Sequence, residues 1–220
     1  MRKLIAIICV AVLALIMAVP ALANPSIGEI VMAGEGFETD ATIEENWVIE
    51  VQEADTNNYG NDDVKNVVTT VNDPEQTSTI VEVVENLKNY LPENMTLSDD
   101  GVITITVAKA DAEAGAEPEE KTIDLKEYDF VTRFFDVVLT DGTEVLFSEE
   151  GNIENVRAGV IIEALKGEDP ENLENYLIML INPDNGEVHF IELDAESFDP
   201  ETGKIVVDFP CLGAFALIQK

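Results

Sequence analysis

Residues 176–219, YLIMLINPDNGEVHFIELDAESFDPETGKIVVDFPCLGAFALIQ, hold the pattern that decides how this chain folds. Residues 176–181 are a continuous apolar run, Asn182-Pro183-Asp184-Asn185-Gly186 is a cluster of turn formers, and 187–193 carry the chain back. Asp199-Pro200-Glu201-Thr202-Gly203 turns it again before two closing runs, 204–209 and 212–219. The same grammar holds upstream. Residues 130–139 and 144–147 flank Thr140-Asp141-Gly142-Thr143, whose Asp-Gly pair is a strong hairpin signal, and 156–165 end at Gly167-Glu168-Asp169-Pro170. Short strands at roughly ten-residue spacing predict an antiparallel β-sandwich over 122–220. No long helical pattern interrupts them, which argues against a parallel α/β sheet.

Working toward the N-terminus, 109–121 is rich in Ala, Glu and Gly, with one proline and no large apolar side chain. That composition reads as an acidic linker or a long exposed hairpin loop. Before it, 24–108 read as a smaller α+β region. Trp47, Ile49 and Val51 alternate with Val48, Glu50 and Gln52 as in a half-buried strand, and Ile103, Ile105 and Val107 alternate with Thr104 and Thr106 in another. One clear helix lies between them. Asp73 suits its N-cap and Pro74 its first position, the stripe Ile80, Val83, Val84, Leu87 and Leu91 has helical spacing, and Pro92 ends the run. The chain is therefore expected to be mainly β, with the sandwich preceded by this α+β region.

The first 23 residues read as an export signal. Arg2 and Lys3 precede an apolar run over 4–19, Pro20 breaks it, and Ala21-Leu22-Ala23 supplies the small-x-small pattern of a cleavage site. Sixteen apolar residues fall short of the roughly 20 that span a bilayer. The expected product begins at Asn24 and is secreted. It keeps 10 basic and 45 acidic residues, a net charge of −35 against −33 for the whole chain, because the leader carries Arg2 and Lys3 and no acid. Such a charge repels nucleic-acid phosphates and anionic lipid heads, and it favours a soluble monomer. The partner to expect is a protein or a cell-envelope component. With 46% hydrophobic residues in patterned runs, the chain is built to fold.

The chemistry-bearing residues are few. Removing Cys9 with the leader leaves Cys211 alone, so no intrachain disulfide can form, and its strand-like surroundings suggest a small buried hydrophobe. His189 stands alone on a strand, which excludes a His-rich zinc site and suggests a structural or surface role. Neither a nucleophile elbow nor a phosphate-binding glycine loop occurs in the sequence. Paired carboxylates could hydrolyse glycosides, yet 45 acids make a workable pair unavoidable by chance.

Calcium is the best chemical candidate. Residues 55–63 place oxygen side chains at the first, third and ninth positions of an EF-hand-like loop (Asp55, Asn57, Asp63) and glycine at the sixth. Two departures stand against it: Tyr59 is at the fifth position, where an oxygen ligand is wanted, and Asn66 rather than a bidentate Glu is at the twelfth. A plain polar Asn/Gly loop is the competing reading.

The closing run 204–209, followed by Leu212-Gly213-Ala214-Phe215-Ala216-Leu217-Ile218, resembles the final two strands of β-sandwich modules in secreted and surface proteins of Gram-positive anaerobes. Phe134-Phe135-Asp136-Val137-Val138-Leu139-Thr140-Asp141-Gly142 is similar to an early strand of those modules, so the resemblance covers about the last hundred residues. It implies an extracellular β-module and offers no catalytic residues to carry over. Two functions are then expected: a non-enzymatic structural or interaction module at the cell exterior, or a glycan-binding or glycan-hydrolysing module built on Trp47, Tyr59 and nearby acids.

Overall fold

The structure, a computed structural model, describes residues 30–31, 48–107, 119–140, 144–147 and 154–220. The fold is mainly β, with antiparallel pairing throughout and a small helical region. The strands are β1 (Ile30–Val31), β2 (Val48–Glu53), β3 (Met95–Leu97), β4 (Val102–Val107), β5 (Glu119–Asp124), β6 (Asp129–Phe130), β7 (Phe135–Thr140), β8 (Val145–Leu146), β9 (Glu154–Ile162), β10 (Tyr176–Ile181), β11 (Val188–Glu192), β12 (Lys204–Cys211) and β13 (Gly213–Gln219). Two helices, α1 (Asp62–Asn72) and α2 (Ile80–Asn86), lie between β2 and β3.

Seven strands form the central sheet in the order β11-β10-β13-β7-β2, with β6 added on β13 and β8 on β7. A second sheet, β1-β9-β12, lies across one face of it. The Phe209 ring on β12 sits 5.2 Å from Phe215 on β13, and Phe135, paired with Phe215 across the sheet, is the next ring at 6.5 Å. Phe215 is completely buried, a core contact between the two sheets. The chain passes from one sheet to the other between β12 and β13, where Gly213 has no room for a side chain: a Cβ there would lie 2.4 Å from the Ile181 carbonyl oxygen.

Every residue of β7 and β10 is buried, as are 213–218 of β13. Successive side chains of a strand point to opposite faces, so both faces of these strands must be covered. Phe215 and Leu217 face the second sheet, whereas Ala214, Ala216 and Ile218 share the opposite face with Asp136 and Val138 of β7. The helical layer is tied to that face: Asn72 at the end of α1 both donates to the Phe134 carbonyl (3.0 Å) and accepts from its N–H (2.7 Å). A third sheet, β3-β4-β5, adds Ile103, Ile105 and Ile123 to the same core, and Val81 of α2 lies against its Gly101 turn.

One sequence reading needs correction. The helix expected to start at Asp73 begins at Ile80, because Thr79 and Glu82 form a reciprocal capping box that satisfies the first free N–H groups. Ile80, Val83, Val84 and Leu87 are buried as the stripe predicts, and Leu91 lies beyond the helix, past a 3-10 turn over Lys88–Tyr90. Asp73 closes the preceding helix α1, and its carboxylate accepts the Glu75 N–H at 2.9 Å. The helical region thus holds two helices where one was expected. α1 hides in a valine- and threonine-rich stretch that favours strands, yet Val64, Val67, Val68 and Val71 recur at helical spacing and are all buried.

β4 and β5 pair over Val102↔Asp124 to Val107↔Glu119, and residues 119–121 at the end of the acidic stretch lie in β5. β2 from the N-terminal region pairs with β7 along its full length, Val48↔Thr140 to Glu53↔Phe135, and so belongs to the central sheet. Residues 1–23, read from the sequence as a leader, Trp47 and the expected Asp141-Gly142 turn lie outside the described residues.

Candidate functional site

The loop singled out as a calcium candidate meets the central sheet at one buried carboxylate. Asp136 is completely buried near the start of β7 and is the one fully buried acid among the described residues. Both of its oxygens accept hydrogen bonds from the loop: the Tyr59 hydroxyl donates to Oδ1 at 2.5 Å and the Asp55 N–H donates to Oδ2 at 2.9 Å. The Tyr59 ring is buried too, edge-on to Phe147 with 5.4 Å between centroids.

Burial opposes ionisation, and it pushes Asp136 up to about 6 although the two hydrogen bonds pull the other way. The phenol of Tyr59 is held well above its ordinary range by burial and by the adjacent Asp136 charge. Neither group is placed to meet a solute. The pair is a clasp that fixes residues 55–59 to the sheet, and it costs the charged state desolvation.

Around the clasp, the loop's other polar groups are spent on backbone geometry. Asp55 caps a 3-10 turn (Thr56–Asn58) by accepting from the Asn57 N–H (3.1 Å) and the Asn57 Nδ2 (2.8 Å). Asn61 caps α1, accepting from Asp63 and Val64. Asp63, in the first turn of the helix, accepts the Tyr90 hydroxyl at 2.8 Å. The loop also meets the turn 182–186, which sequence alone does not bring near it: the Asn61 N–H donates to the Pro183 carbonyl at 2.8 Å. Gly186 in that turn has φ +80°, and a Cβ there would lie 2.7 Å from the Tyr90 ring, so two constraints favour glycine.

Of the three proposed calcium ligands, then, Asp55 and Asn57 are in contact with each other, and Asp63 is engaged with Tyr90. Among the described residues no group of three or more His, Cys, Asp or Glu side chains is arranged to hold a metal. Asp136 was not legible as a site residue, although a signal exists. An acid at the centre of Phe134-Phe135-Asp136-Val137-Val138-Leu139 needs a buried partner if both faces of its strand are covered.

The remaining candidates are dispersed. His189 on β11 is largely buried, 3.7 Å from a Glu187 carboxylate oxygen, and desolvation lowers its affinity for a proton while Glu187 partly restores it. Cys211 is half-buried at the end of β12, and burial pushes its thiol up to about 11, which keeps it protonated and unreactive near neutral pH. A polar notch of about 210 Å³ opens between α1 and α2, with Val67 and Val83 in its lining and no aromatic ring. No family model, curated protein or solved structure matches the chain.

Proposed function

We propose that the protein is an exported, acidic, non-enzymatic module that acts as a structural or interaction element at the cell exterior. The observation that carries this reading is the packing of the central sheet. Aliphatic and aromatic side chains fill both faces of β7, β10 and β13, and the acid among them is sealed by Tyr59. The chemistry of such a molecule lies on its exterior, where carboxylates far outnumber bases. Exposed ion pairs such as Arg133–Glu53 and Lys121–Glu192 contribute little to stability individually, and they leave the acidic excess free to keep the protein soluble or to meet a basic partner.

The glycan alternative asks for an aromatic floor and two carboxylates in an open cleft. Tyr59, its proposed platform, is 5% exposed and bonded to Asp136. This weighs against the alternative.

The test is expression in a secreting bacterium under the chain's own leader, followed by N-terminal sequencing and a pull-down from cell-envelope fractions. Sequencing should start at Asn24, and a defined envelope component should be retained at low ionic strength and released by salt. An intact Met1 on the exported protein would overturn the localisation. Release of reducing sugar from polysaccharide substrates would replace the functional reading with the hydrolytic one.

A further inference from the structure

We draw no further inference here: the strongest candidate, the polar notch between α1 and α2 lined by Asp63, Asn66, Thr70, Ser78, Glu82 and Asn86, is a cluster of solvated side chains whose two carboxylates already serve Tyr90 and Thr79, and nothing in the structure shows what would fill it.

Discussion

The interface between the two facing sheets and the seam between the central sheet and the 55–63 loop are held by opposite physics. At the first, Phe135, Phe209 and Phe215 meet among aliphatics, an arrangement that gains from area alone and tolerates many sequences. At the second, one buried carboxylate takes two donors from a loop 77 to 81 residues away in sequence, an arrangement that is directional and costly to leave half made. The apolar interface supplies stability, and the polar seam specifies which loop docks where. Substitutions on the two sides should therefore differ in size and also in their response to pH.

The largest effect belongs to the apolar side. Phe215→Ala empties a fully buried site between the sheets and should cost on the order of 3–5 kcal/mol, a large share of a typical domain's stability. Its loss should be much the same at pH 5 and pH 7.5, since the ring contacts it removes are those with Phe135 and Phe209. Urea denaturation at both pH values measures this; a denaturation midpoint equal to the parent's would break the comparison at its stronger end.

On the polar side, Asp136 binds a proton more tightly in the folded chain, at about 6, than its ordinary value of 3.8. A raised carboxylate is at its most favourable below the unfolded value. Its contribution therefore declines as pH rises from about 4 to about 6, by roughly 3 kcal/mol. Mutual repulsion of the surface acids slopes the same way, so the diagnostic quantity is a difference. Asp136→Asn should flatten the pH dependence between 4 and 6 relative to the parent, and equal slopes in the two proteins would rule the clasp out as its source.

Tyr59→Phe sharpens the contrast further. It keeps the ring against Phe147 and removes one donor from a buried carboxylate, which should cost about 1.5–3 kcal/mol at pH 7.5. Below pH 5, where Asp136 is neutral, the loss should shrink. A deficit that does not change with pH would mean that the hydroxyl acts through packing. Thr79→Ala is smaller still: it removes the capping box of α2 and should cost about 1 kcal/mol, with the sheets' cooperative unfolding otherwise unchanged. A null result would mean that the capping box adds nothing to the stability of α2.

These two kinds of interface also explain what sequence could reveal. Strands such as β10, β11 and β12 are legible because they are bounded by local turn chemistry, Asn182 to Gly186 and Asp199 to Gly203, that acts within a few residues. The capping box at Thr79-x-x-Glu82 is equally local, but Asp73-Pro74 presents a competing start signal just before it. What escaped is non-local. β2 joins β7 across more than eighty residues, and no pattern in Val48-Ile49-Glu50-Val51 names its partner. Asp136 became intelligible when Tyr59 and Asp55 were placed beside it. α1 was obscured by a conflict between intrinsic preference and periodicity, which its four buried valines settle in favour of periodicity.

The smallest expected effect concerns calcium at the loop. Asp55, Asn57 and Asp63 would have to leave the turn cap, the Asn57–Asp55 bond and the Tyr90 hydroxyl to converge on an ion. A hard cation replaces such contacts only when several oxygens reach it together. Tight binding to the folded state alone would add about 2.7 kcal/mol at a hundredfold excess over the dissociation constant, which a thermal melt resolves. A chain of net charge −33 also attracts any divalent ion diffusely, and that attraction raises the melting temperature without a site. The two causes separate in a comparison of calcium with magnesium on the parent and on Asp55→Ala. Diffuse attraction should give nearly equal shifts for both ions and both proteins, and this is the expected outcome. A calcium-selective shift that disappears in Asp55→Ala would instead make the loop a metal site that rearranges on binding, with the Asp136 clasp as the hinge about which it moves.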